Sequence, residues 1–143
     1  MGSRISERRL DRIGDRVESQ DFALPHSSEA AVLARRIVEE QLAPLLTPDR
    51  ARELRLLTTE LVTNALRHSP PLPDGTIGLH LERDDHSIRV GVTDGGTHLD
   101  PNALTFDTAA DGEFGMYFVD HLADRWGFSL DGVKGVWFGM DLG

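Results

Sequence analysis

Two runs of alternating residues set the character of the fold. TIGLHLER (76–83) and SIRVGVTD (87–94) both place apolar and polar side chains at period two, and only the tripeptide DDH separates them. Period two marks a strand with one covered face, and so short a connection turns the chain straight back as a hairpin. Two antiparallel neighbours are therefore expected, with the apolar face covered by another layer.

The covering layer is read from helical periodicity. Ser27 or Ser28 can cap a helix starting at Glu29, and Ala31, Leu33, Ala34, Ile37, Val38, Leu42 and Leu45 keep its period to an end near Leu46. Thr47 as cap, Pro48 at the first helical position and Asp49 in the first turn start a second helix, which runs to about His68 and closes in SPPLPDG. A third is expected over MYFVDHLADRW (116–126), with Met116, Phe118, Val119 and Leu122 inward. QDFALP (20–25) reads as a short edge strand ending at Pro25, and WGFSLD with GVWFGMDL as a closing hairpin around DGVKG. Residues 95–114 have no clear period and form a long loop, a length more often functional than idle. Residues 1–19 alternate Arg with Asp and Glu around Ile5, Leu10, Ile13 and Val17. They read as a charged, solvated helical arm, or a partner-docking helix, ahead of a domain over 20–143. The expected architecture is an α+β two-layer sandwich, a mostly antiparallel sheet with helices on one face.

Composition narrows the function. The chain has 143 residues, which fits one compact domain. Its net charge of -9 argues against binding nucleic acid through phosphates, and points to a small ligand or a protein partner. Lys134 is the only lysine, so no GxxxxGK[ST] phosphate loop can be built. Without cysteine there is no disulfide, thiol nucleophile or thiolate metal site. No stretch reaches the roughly 18 apolar residues of a membrane span, and the N-terminus lacks the apolar centre of a signal peptide; a cytoplasmic location is expected.

One row of polar residues stands out against this frame. In TELVTNALRHS (59–69) the side chains of Glu60, Asn64 and His68 recur every four residues, along one border of the arc made by Leu54, Leu57, Leu61 and Ala65. A carboxylate, an amide and an imidazole at such a border must find partners or face a cavity. Asp94 ends a strand with Gly95 and Gly96 behind it, and GEFG (112–115) leads into a helix, whose glycine-spaced N–H groups suit an anion. Trp126, Phe128, Trp137 and Phe138 lie in alternating strands and read as core packing.

These segments together resemble the GHKL ATPases, the gyrase, Hsp90, histidine kinase and MutL type. Within them they are most similar to the anti-sigma factor serine kinases and related short regulators of actinobacteria. TELVTNALRHS looks like the N box, VTDGGTHLDP the first glycine box, EFGMYFVDHLADRWG the second, and GVKGVWFGMDL the final strands. The resemblance runs from about residue 20 to the end and implies the histidine kinase-like ATPase fold with ATP and Mg²⁺ as cofactors. It implies that Asn64 coordinates Mg²⁺ and that Glu60 is general base towards a partner serine or water, with Arg67 and His68 near the phosphates or lid. Asp94 would accept from the adenine amino group, and Gly96 would let the backbone approach the base. Gly112 and Gly115 would frame the phosphate-facing turn, with Met116 beside them and residues 97–113 as lid. It also implies a sigma factor or an anti-sigma factor antagonist as partner, met by Arg35, and a homodimer.

The sequence departs from the family pattern at three positions. His98 and Glu113 stand where the two boxes usually carry glycine, and Gly135 where a threonine is frequent. They keep a second reading open, a protein-binding regulator that retains the fold without catalysis. A metal-dependent hydrolase using His98, Asp100, His121 and Asp124 finds no ligand spacing of known geometry, and no GxSxG elbow supports a serine hydrolase.

Overall fold

A computed structural model describes residues 4–12, 15–95, 115–130 and 133–142. The elements in chain order are β1 (Arg4–Arg12), β2 (Asp15–Pro25), α1 (Glu29–Gln41), a 3-10 turn (Ala43–Leu45) and α2 (Pro48–His68). There follow β3 (Thr76–Arg83), β4 (Ser87–Thr93), α3 (Gly115–Leu122), β5 (Arg125–Leu130) and β6 (Val133–Asp141). The strands make one six-stranded sheet in the order β1-β2-β3-β4-β6-β5, and every ladder in it is antiparallel.

The helix boundaries follow local chemistry. The Thr47 hydroxyl accepts from the Arg50 N–H and starts α2, as its sequence requires. At α1 the Ser27 hydroxyl, not that of Ser28, accepts from the Glu29 N–H. That helix stops at Gln41, because Pro44 has no N–H to continue the ladder and the chain tightens into the 3-10 turn. The third helix ends at Leu122 rather than Trp126: the Asp124 N–H turns away to the Gly139 carbonyl at 3.0 Å, which commits the chain to β5. Between β3 and β4 the Asp84 carboxylate accepts from the N–H groups of His86 and Ser87 at 2.7 and 2.8 Å, closing the DDH turn.

The N-terminal residues correct an expectation. Arg4–Arg12 and Asp15–Pro25 are strands, not a helix, with Arg8 opposite Glu18 and Leu10 opposite Arg16. A hairpin needs only backbone pairing and tolerates charge on both faces. Among these residues Val17 is buried.

The core lies between the sheet and the helices. Leu24, Ile77, Leu79, Leu81, Ile88, Val90, Val92, Val136, Phe138 and Met140 point from the strands towards Ala34, Val38, Leu54, Leu57, Leu61 and Val119 on the helices. Trp126 and Phe128 pack against this core, their rings edge to face at 5.3 Å. Trp137 does not. It lies on the opposite face of the sheet, half-buried, with the Arg89 guanidinium 4.3 Å above its ring, because its register partner is Gly91 rather than a core residue. Among the described residues no helix is long and apolar enough to cross a membrane.

Candidate functional site

The polar row of α2 sits where the spacing puts it. Leu57, Leu61 and Ala65 are buried, Glu60 and Asn64 are half-buried beside them, and Arg67 and His68 are exposed in the last turn. Among the described residues neither the Glu60 carboxylate nor the Asn64 amide has a hydrogen-bond partner. Loss of hydration pushes the Glu60 carboxyl above its ordinary value, and the positive charge of Arg67 pulls it partly back. A carboxylate so placed is a better base than a solvated one, and a half-buried amide oxygen is a hard donor.

The end of β4 is fixed against the residues that follow this row. The Gly95 N–H donates to the Pro70 carbonyl at 2.9 Å, and a Cβ at Gly95 would overlap the Pro71 carbonyl, so this contact requires glycine. A His26 ring nitrogen meets the Ser69 carbonyl at 2.9 Å, and Gly75, at φ +85°, turns the loop into β3. Asp94, half-buried, thereby stands next to the α2–β3 connection. The sequence offered no sign of the Pro70 contact, although the glycine after the acid was legible.

A second network explains the segment LADRWG. The Asp124 carboxylate accepts from Arg50 Nη2 at 2.6 Å and from the Asp141 N–H at 2.7 Å, while Arg50 Nη1 reaches Glu53 Oε1 at 2.5 Å and the Leu122 carbonyl at 3.3 Å. It ties the first turn of α2 to the end of α3 and to β6, so α3 packs along the helix that carries the row. Asp124 is thus structural, and among the described residues no group of three or more His, Asp or Glu gathers as a metal cage. The hydrolase reading, already disfavoured by its spacing, would also need His98 and Asp100, which lie outside the described residues.

Other expected residues are distributed unevenly. Gly96, Gly112 and the lid over 97–113, with Glu113, lie outside the described residues, and Gly115 and Met116 form the first turn of α3. Gly135 pairs with Thr93 on the face away from the helices, so its lack of a hydroxyl does not alter the helix side of the sheet. Arg35 donates to the Thr59 hydroxyl at 3.3 Å and so links α1 to α2.

The model of the histidine kinase-like ATPase domain matches residues 24–137. The chain belongs to this family. The matched stretch of the histidine kinase-like ATPase domain begins at the end of β2, takes in the whole α2 row and Asp94, and closes in β6. Membership supports ATP as ligand and agrees with an open antiparallel sheet covered by helices. No curated protein matches the chain.

Proposed function

We propose that this histidine kinase-like ATPase domain is a regulatory protein that binds Mg-ATP and passes the terminal phosphoryl group to a hydroxyl of a partner protein. The observation that carries the reading is the desolvated Glu60 one helical turn from Asn64, neither with a hydrogen-bond partner among the described residues, on a helix followed by Pro70, whose carbonyl accepts from the N–H of Gly95, next to Asp94. The Asn64 amide oxygen would hold Mg²⁺, which suits a cation that keeps several waters and takes its remaining ligands from phosphates. That ion, when bound, neutralises charge on the phosphate oxygens. Asp94 would accept from the adenine amino group, and Arg67 and His68 would face the phosphates or the lid. Glu60 would take the proton of the attacking hydroxyl as its oxygen bonds to the γ-phosphorus and the bond to the β–γ bridging oxygen breaks, with ADP leaving.

A serine of a sigma-factor antagonist is the acceptor that the sequence resemblance suggests, with the sigma factor as second partner, Arg35 on the partner-facing helix and a homodimer as the working unit. The net charge of -9 fits a protein partner better than nucleic acid. Glu113, in place of a family glycine, favours the second reading, a regulator without catalysis: were its carboxylate to lie about 4 Å from a phosphate oxygen, it would cost about 4 kcal/mol per unit charge at an effective dielectric near 20.

Calorimetric titration with a non-hydrolysable ATP analogue and Mg²⁺ tests the nucleotide site that the kinase reading needs, and transfer of labelled phosphate to a partner separates the two readings. Binding by the wild type and its loss in Asn64→Ala are expected. No binding at millimolar ligand would rule out the kinase reading and leave the protein-binding one.

A further inference from the structure

The face of the sheet turned away from the helices carries a hydrogen-bonded chain across three strands. Asp21 Oδ1 on β2 lies 2.5 Å from His80 Nδ1 on β3, and His80 Nε2 lies 3.0 Å from the Thr93 hydroxyl on β4. With a carboxylate at Nδ1, the neutral ring carries its proton there, and Nε2 accepts from the Thr93 hydroxyl.

The order carboxylate, imidazole, hydroxyl is that of an activated nucleophile, but Thr93 is 4% exposed and no substrate reaches it. Its burial suits positioning instead. Two glycines make room for the contact. A Cβ at Gly78 would overlap the Thr93 hydroxyl and crowd the His80 ring, and Gly91, directly opposite His80, leaves the ring free to lean along the sheet. The next residue after Thr93 is Asp94, whose far side is fixed by the Gly95 N–H on the Pro70 carbonyl. The end of β4 is thus held from its outer face and from beyond its last residue, with Asp94 between the two anchors.

We infer that the Asp21–His80–Thr93 chain positions Asp94 and thereby sets the selectivity of the site for adenine over a base with a carbonyl in place of the amino group. The inference rests on the nucleotide reading above. It follows because a carboxylate that accepts one amino proton discriminates only if its oxygen is held to a fraction of an ångström. Asp21, His80 and Thr93 are positioning residues, since they lie on the face of the sheet turned away from the helices and the row on α2.

The test is calorimetry on the full chain with ADP and with inosine diphosphate, both with Mg²⁺. The Thr93→Val variant is expected to weaken ADP binding about fivefold, the worth of one hydrogen bond, and to leave inosine diphosphate unchanged. Thr93→Ser should restore the ADP affinity to within about twofold, and Asp21→Ala should fall between the two. A purely structural role lowers both nucleotides together, and that result, or an unchanged ratio, overturns the inference. Should Thr93→Val fail to fold, Asp21→Ala, which alters an exposed side chain, carries the same comparison. If the wild type binds neither nucleotide, the nucleotide reading fails and takes the inference with it; if it binds and the ratio stays fixed in every variant, only the inference falls.

Discussion

Glu60 combines a proposed chemical role with a cost to stability. Its folded carboxyl holds a proton to higher pH than the unfolded one, so between the two values the folded state binds more protons, and stability falls as pH rises. The cost is absent below the ordinary glutamate range and complete above the raised folded value. Glu60→Gln removes it. Thermal melts at pH 7 should therefore place the variant about 1–2 °C above wild type, since solvent screening keeps the effect well below that of a fully buried charge. At pH 3 the two should melt together. The same variant should bind ADP as wild type does and transfer no phosphate; a lower melting point at pH 7 would show that the carboxylate is satisfied after all. The border position of Glu60 and Asn64 was legible from four-residue spacing alone. The Asp21–His80–Thr93 contact was not, because it depends on the register of three strands and on room left by Gly78 and Gly91.

At the scale of elements, the Arg50–Asp124 network determines how α2, α3 and β6 meet. Asp124 has two donors, Arg50 and the Asp141 N–H, whereas Arg50 keeps Glu53 and the Leu122 carbonyl when Asp124 is lost. Asp124→Ala should cost about 1 kcal/mol in denaturant unfolding and Arg50→Ala, which removes three contacts, about 1–2 kcal/mol. A double-mutant cycle should give a coupling of about 0.5–1 kcal/mol; additivity would mean that the two side chains act independently. The helices were readable wherever capping chemistry was written locally, as at Thr47–Pro48–Asp49. Residues 4–12 were misread because alternating Arg, Asp and Glu fit an exposed helix as well as a hairpin strand, and long-range pairing decided between them. Leu122, not Trp126, ends α3 for the same reason: the Gly139 carbonyl that draws off Asp124 is remote in sequence.

Over the whole molecule, the two tryptophans report on opposite sides of one sheet. Trp126 packs on the core side with its indole N–H on Asp120 at 3.0 Å, whereas Trp137 lies outside beneath Arg89. In a Trp126→Phe background, Arg89→Ala should change Trp137 emission and its quenching by acrylamide while lowering stability by about 0.5–1 kcal/mol. Unchanged quenching would remove the contact between them. Melting followed by Trp137 emission and by far-ultraviolet circular dichroism should coincide, as for one cooperative domain.

The strand order also fixes a timetable. The last of the described strands in chain order, β6, enters between β4 and β5 and supplies the neighbour that β4 lacks until then. A chain emerging from the ribosome thus carries β4 as a bare edge, with Ile88, Val90 and Val92 uncovered on that side, until β6 is made. Premature termination anywhere before Val133 would release a sticky fragment rather than a smaller working domain, and a chaperone would meet that edge first.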